Sequence, residues 1–230
     1  MSVSVVVTYH DEKCEYLREA VESVIAQTLA PVEILVVDDG STRPAGDLLG
    51  ELGRGVRYLY QENAGLGAAR SAGVAATTGE LVAFLDADDV WPHDRLLCLR
   101  QSLAGDPSAV VALGHVTQFL SPDLDDETRR RFSVPPQPMP GLLVTAMLIP
   151  RWVFDRIGPF SCDRQIHQTI EWIGRLQEHR LRIATIPNVV LLRRIHLGNF
   201  GVLRRDERGD YARALKVVLD RRRGGPAGKA

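Results

Sequence analysis

The chain has 230 residues, 45% of them hydrophobic and 25% charged, with a formal net charge of -1. These values fit one α/β domain with at most a small appendage, and they argue against a basic nucleic-acid binder. Three widely spaced cysteines, Cys14, Cys98 and Cys162, form no C-x-x-C pair, so neither a disulfide framework nor a zinc site is expected and a reducing, cytoplasmic setting is.

Val3 to Val7 reads as a core strand directly after the initiator Met, so no signal peptide is expected. That β-branched run, Ser4 to Thr8, has the pattern of a strand buried on both faces of a parallel sheet. A helix follows with Leu17, Val21, Val24 and Ile25 on one stripe. Pro31 separates it from a second buried strand, Glu33 to Val37, which stops at the turn-forming Asp38-Asp39-Gly40-Ser41. A weak helix near Leu48 and a short strand, Val56 to Tyr60, come next. Asn63 to Gly67 leads into an alanine-rich helix from Ala68 to about Thr77. Strand Leu81 to Leu85 ends at Asp86-Ala87-Asp88-Asp89, and Pro92 opens a helix carrying Leu96, Leu97, Leu99 and Leu103.

This alternation through residue 116 predicts a Rossmann-like, mostly parallel central sheet flanked by helices. We divide the chain into a ligand-binding half (1–116), a second half (117–203) and a C-terminal segment (204–230). In the second half, the proline-rich stretch 121–141 reads as a mobile loop or lid. Leu142 to Ile149 reads as a strand and is the longest apolar run, too short to cross a bilayer. Ile170 to His179 reads as a helix, and Arg182 to Ile186 and Val189 to Leu192 as two short strands. The last segment reads as a basic helix, about Asp206 to Leu219, followed by a disordered tail.

Ligands of open α/β sheets bind beyond the carboxyl ends of the strands. Polar or acidic groups stand at three such ends: Thr8 to Asp11, Asp38-Asp39, and Asp86 to Asp89. One carboxylate after a strand is ordinary turn chemistry, but two clusters, one with D-x-D spacing, exceed it. Asp86, Asp88 and Asp89 repel one another unless a cation or an arginine neutralises them. Hard oxygen ligands at that density suit Mn²⁺ or Mg²⁺, with substrate phosphates completing the shell. Structural readings compete at single positions. Asp38 is equally well a packing residue, Asp89 a helix cap, Arg70 a surface charge, and Trp91, Trp152 and Trp172 core or cleft-wall residues.

The series Val3-Ser-Val-Val-Val-Thr-Tyr-His10, Val36-Val-Asp-Asp-Gly-Ser-Thr42, Asn63-x-Gly-x-Gly-Ala-Ala-Arg70-Ser-x-Gly73 and Phe84-Leu-Asp-Ala-Asp-Asp89 resembles family 2 glycosyltransferases in order and spacing, over roughly residues 2–100. Arg193-Arg-Ile-His196-Leu-Gly-Asn199 resembles the C-terminal loop of that family. The resemblance implies a GT-A fold and a sugar-nucleotide site. By it, Thr8 and Asp39 contact the base, with Asp39 accepting from uracil if the donor is a UDP-sugar. Arg70 lies beside the D-x-D carboxylates, and Asp86 reaches the ribose or sugar. Asp88 binds Mn²⁺ or Mg²⁺, His196 is a second metal or diphosphate contact, and Arg193 or Arg194 is nearby. His10, Asp38, Asn63, Gly67 and Ala87 fall in the same matched segments and are counted with the sugar-nucleotide site.

The family inverts the anomeric centre in one displacement and needs a carboxylate to deprotonate the acceptor hydroxyl. Here Gln168 and Thr169 stand where an acidic pair is expected, and neither can act as a base. Glu171, one turn on, is the leading candidate, followed by Asp163 and His167. Two functions are therefore expected to compete. One is a metal-dependent inverting transfer from an NDP-sugar, with a UDP-sugar favoured. The other is a catalytically reduced homologue that binds sugar nucleotide and supports a partner enzyme. A nucleotidylyltransferase is remote, because Thr8-Tyr-His-Asp-Glu12 is no glycine-rich phosphate cradle. A small molecule, a peptide or a lipid-linked glycan at the membrane periphery all suit as acceptor, and a homodimer is compatible with the reading.

Overall fold

The computed structural model describes residues 1–52, 55–162 and 168–198, the side chains at 47 and 51 aside. Its centre is strand β1 (Val3–Tyr9), buried at every position. Parallel neighbours flank it, β2 (Glu33–Asp39) on one side and β4 (Leu81–Asp86) on the other, with β3 (Val56–Gln61) parallel to β2 at the edge. Continuous β-branched and aliphatic runs form these strands because both faces are covered. Helix α1 (Cys14–Ile25) connects β1 to β2, while α3 (Leu66–Ala76) connects β3 back to β4 in the opposite direction. Right-handed crossovers that reverse direction place α1 and α3 on opposite faces of the sheet. The reversal leaves a crevice beyond the carboxyl ends of β1 and β4. Helix α2 (Gly46–Glu51) is a short turn before β3.

Helix α4 (Arg95–Gly105) joins the α1 layer, where Gln27 donates to the Pro92 carbonyl at 2.7 Å and accepts from the Leu96 amide at 3.1 Å. It starts three residues after Pro92, because the prolyl carbonyl is used in a turn to the Arg95 amide. On the α1 stripe, Tyr16, Leu17, Ala20, Val21 and Val24 are buried, whereas Ile25 is exposed.

Beyond β4 the sheet becomes mixed. Strand β5 (Val111–Leu120) pairs antiparallel with β6 (Met139–Pro140) and β7 (Met147–Pro150), and β7 pairs antiparallel with β4. The strand order is β3-β2-β1-β4-β7-β5-β6, with β8 (Ile183–Ile195) parallel to β5. The expected strand at 142–149 is therefore shorter. Leu142 is exposed, Val144–Ala146 is a 3₁₀ turn, and ladder partners on β4 and β5 begin only at Met147 and Leu148. The two expected short strands at 182–192 are one strand, whose register shifts against β5 accommodate Pro187.

Stretch 121–141 is not wholly loop. It contains α5 (Asp126–Arg131), capped by Asp125 accepting from the Thr128 amide at 2.7 Å, as well as β6. Helices α6 (Arg151–Ile157) and α7 (Gln168–Glu178) pack on the α3 side around an aromatic cluster of Phe84, Phe154, Phe160 and Trp172. Trp172 and Trp91 are buried and Trp152 is exposed. The expected C-terminal helix and tail lie outside the described residues.

Candidate active site

A cavity of about 250 Å³ opens over the crevice, lined by Thr8, Tyr9, His10, Glu12, Asp39, Leu66, Ala69, Asp86, Asp88, His196 and Gly198. The three strand-end clusters thus converge, together with the residues just past β8. Local chain geometry aims each group. Gly40 has φ +76°, and a Cβ there would lie 2.5 Å from the Asn63 amide nitrogen, so only glycine lets the β2 turn approach the loop before α3 this closely. That approach orients Asp39. Its carboxylate accepts from Gln61 Nε2 at 2.7 Å, the Ala64 amide at 2.9 Å and the Gly65 amide at 2.8 Å. A carboxylate has about four acceptor positions, so one remains for a ligand donor.

Asp86 is oriented from two sides. Its Oδ1 accepts from Thr8 Oγ1 at 3.1 Å and from Arg70 at 2.7 Å, leaving Oδ2 without a bond among the described residues. Arg70 is buried, so its guanidinium is no surface charge, and it reaches Thr169 Oγ1 at 3.4 Å. Asp88 meets His196, with Oδ2 and Nε2 3.0 Å apart. His196 Nδ1 accepts from the Gly198 amide at 3.1 Å, so the ring proton resides on Nε2 and is donated to Asp88.

Other expected site residues have other duties. Asp38 is fully buried and outside the cavity lining, with one oxygen accepting from the Ser41 amide at 2.9 Å and the other from Tyr58 Oη at 2.6 Å. Its geometry is that of a packing residue. Ala87 contributes backbone, its amide donating to the Thr8 carbonyl at 3.0 Å. Asn63 is an exposed partner of His10, 3.2 Å away. Gly67 is a contact point, since a Cβ would lie 2.2 Å from the Ser161 carbonyl and 2.4 Å from Gln168 Oε1. Asp89 caps no helix. It is buried, accepts from the Arg194 amide at 2.9 Å, and is held well above the usual carboxylate range by burial and by Asp88 and Asp86.

Arg193 and Arg194 part company because neighbouring strand residues face opposite sides. Arg194 is buried, donates to the Asp88 carbonyl at 2.9 Å, pairs with Glu19 and stacks over Tyr16 and Phe119. It tethers the end of β8 to the D-x-D turn. Arg193 lines a different cleft.

Glu171 does not line the cavity. It pairs with Arg175 at 2.9 Å, and Arg175 also donates to the Ile157 and Pro159 carbonyls at the end of α6. The carboxylate thus belongs to a clamp between α6 and α7. Asp163 and His167 lie outside the described residues. One cavity group was not expected from the sequence. The Glu12 carboxyl accepts from the His10 amide and is raised to about 8, chiefly by burial and then by the charges of Asp88 and Asp86. The signal was present, because Glu12 lies in the polar run that begins at Thr8.

The description "Glycosyl transferase family 2" matches residues 4–169, well over half of the chain. The chain belongs to glycosyltransferase family 2. It is 46% identical over 98 residues to an uncharacterized glycosyltransferase of Nostoc sp., covering 40% of this chain and 30% of that protein. It is 40% identical over 107 residues to the succinoglycan biosynthesis protein ExoW of Rhizobium meliloti, covering 44% of this chain and 34% of ExoW. The matches thus span about a third of these relatives' length. The crystal structure of S. aureus TarS 1-349 in complex with UDP superposes with a TM-score of 0.65 and 16% identity, over 95% of this chain and 64% of that one. This likeness shows the GT-A fold. Among the described residues, no helix is long and apolar enough to cross a membrane.

Proposed function

We propose that this family 2 chain transfers a glycosyl group from a sugar nucleotide, with a UDP-sugar favoured, to an acceptor hydroxyl, inverting the anomeric centre. The observation that carries the reading is the convergence of Asp39, Asp86, Asp88 and His196 on one cavity from three separate chain segments. The remaining acceptor position of Asp39 suits the imide N–H of uracil. Asp86 Oδ2 suits a ribose or sugar hydroxyl, and buried Arg70 supplies fixed positive charge near the diphosphate that develops as the glycosyl bond breaks.

The donor set fits a divalent ion. Asp88 and His196 offer a carboxylate oxygen and an imidazole nitrogen 3.0 Å apart, a pair now joined by one proton that a cation would displace. Among the described residues no group of three or more His, Cys, Asp or Glu is arranged to hold a metal, so substrate phosphates and water would complete the shell. When bound, Mn²⁺ or Mg²⁺ would neutralise charge on the leaving diphosphate.

The catalytically reduced alternative keeps one specific support. Gln168 and Thr169 pack at α3 where an acidic pair was expected, and Glu171 is committed to Arg175. Calorimetric titration of UDP with Mn²⁺ tests the shared core of both readings. Wild type is expected to bind, and Asp88→Ala to lose at least about 100-fold in metal-dependent affinity, the scale of losing a direct ligand. Unchanged affinity in that variant would refute the assignment. Turnover with an acceptor panel then separates the two readings, since donor binding without transfer favours the reduced homologue.

A further inference from the structure

His196 follows the last residue of β8, whose ladder with β5 ends at the pair Leu120 and Ile195, so the sheet does not fix its imidazole. Its Nε2 meets Asp88 Oδ2 at 3.0 Å, and its Nδ1 accepts from the Gly198 amide at 3.1 Å. Both bonds act at ring nitrogens and in the ring plane, so neither resists a tilt about the line joining those nitrogens. A contact on the ring face does. The Tyr16 ring lies against His196 with centroids 5.1 Å apart and planes at 59°, inside the range over which aromatic pairs attract.

Tyr16 is itself held from several sides. It belongs to the first turn of α1, at the same end of the sheet as the cavity, and is buried. Its hydroxyl donates to Asp123 Oδ2 at 2.6 Å and lies 3.0 Å from Ser121 Oγ, while Lys13 pairs with the same Asp123 carboxylate. The Ser121 amide donates to the Ile195 carbonyl at 2.9 Å, so this anchor is fastened to the residue that precedes His196. The Arg194 guanidinium covers the Tyr16 ring, 4.4 Å from its centroid. Tyr16 does not line the donor cavity, so its influence there runs through His196.

We propose that Tyr16 is a positioning residue for the cation site, its ring setting the plane of His196 so that Nε2 stays directed at Asp88. The inference rests on the function proposed above, in which that pair holds Mn²⁺ or Mg²⁺. The physical need is directional. An imidazole binds a metal through a lone pair in the ring plane, so a tilted ring loses the bond even when the residue stays nearby. Mg²⁺ tolerates little departure from its preferred geometry, which makes a fixed ring worth more there than a mobile one. Tyr16 acts by shape, with the aromatic face as the requirement and the hydroxyl as its anchor.

The test is calorimetric titration of UDP into the full chain, with and without Mg²⁺, for wild type, Tyr16→Leu and Tyr16→Phe. Tyr16→Leu should weaken the Mg²⁺-dependent binding at least about tenfold, the loss expected on removing a group that orients a metal ligand, while Tyr16→Phe stays within about threefold. UDP binding without Mg²⁺ should be alike in all these proteins, which a general loosening of the core would not leave intact. The His196 ring gives a second readout by ¹⁵N NMR of the metal-free protein. Wild type and Tyr16→Phe should report one fixed Nε2–H tautomer, and Tyr16→Leu an average of both tautomers. Equal Mg²⁺-dependent affinity in wild type and Tyr16→Leu overturns the proposal, as does an equal loss with and without Mg²⁺. If Tyr16→Leu does not fold, wild type decides. NMR cross-peaks between the Tyr16 and His196 ring protons must persist when UDP and Mg²⁺ are added, and their loss overturns the proposal. Wild type that binds UDP with no response to Mg²⁺ or Mn²⁺ rejects the cation reading itself and the positioning role with it, a failure distinct from an unaffected Tyr16→Leu.

Discussion

The two halves of the sheet use their charged residues differently. In the β1–β4 half, carboxylates stand at strand ends and face a cavity, so among the described residues Asp39 and Asp86 keep acceptor positions for a ligand after their orienting bonds are counted, and Asp88 faces the same cavity beside His196. In the second half the charged groups are mostly spent on architecture. Arg151 bonds the Gly79 and Val74 carbonyls, Arg175 closes α6 onto α7, and Arg194 ties β8 to the D-x-D turn. A parallel sheet aligns its strand ends on one side and so assembles a site from short, separate segments. An antiparallel and bulged region has no such common edge and must be fastened piece by piece.

That contrast is open to attack at the contact between the halves. Gly67→Ala introduces a Cβ against the Ser161 carbonyl and Gln168, and backbone cannot yield cheaply. Overpacking of this kind should cost about 2–3 kcal/mol in chemical denaturation and should also reduce turnover by displacing α7. A stability loss below about 0.5 kcal/mol would mean the halves are more loosely joined than their geometry says.

A smaller effect is expected within the first half. The Glu12 carboxyl is raised from 4.5 to about 8 in the folded protein, so between these values the folded state holds a proton that the unfolded state releases. Stability of the metal-free wild type therefore falls as pH rises from about 4.5 to about 8 on this account. Glu12→Gln removes the dependence. The variant should match wild type below about pH 4.5 and exceed it above pH 8 by about 1 kcal/mol, or roughly 2–4 °C in melting temperature, well below the roughly 5 kcal/mol of an unscreened rise because solvent reaches this half-buried carboxyl. Parallel profiles across that range would show that neither burial nor Asp88 and Asp86 hold the Glu12 carboxyl above its ordinary range.

The smallest expected change is at Glu171. Glu171→Gln should leave turnover within about threefold and lower stability by about 0.5 kcal/mol, as for a partly buried i,i+4 pair. A loss of a hundredfold or more with UDP binding intact would return Glu171 to the reaction and blur the line between the halves.

Much of the first half was legible beforehand. The uninterrupted apolar runs at Val3, Glu33 and Leu81 announced buried parallel strands, and the polar clusters after them marked the crevice. Arg70 was readable through its place in the helix after Gly67. The second half was harder for physical reasons. The apolar run at Leu142 carried no sign that its ladder partners begin only at Met147, and Pro187 disguised one bulged strand as two. Glu171 had the right spacing on α7 for the cleft, but spacing does not reveal that Arg175 would claim it.

Sequence alone determined which segments are strands buried on both faces and which carboxylates stand at their ends, because both follow from local hydrophobic runs and turn chemistry. Tertiary structure alone decided which of those charges stay available. Asp38 and Asp39 are adjacent in the chain, yet one is consumed by Ser41 and Tyr58 while the other reaches the cavity. Arg193 and Arg194 divide in the same way across the sheet. Strand alternation sends neighbours to opposite faces, and only the packing of distant elements determines what each face meets.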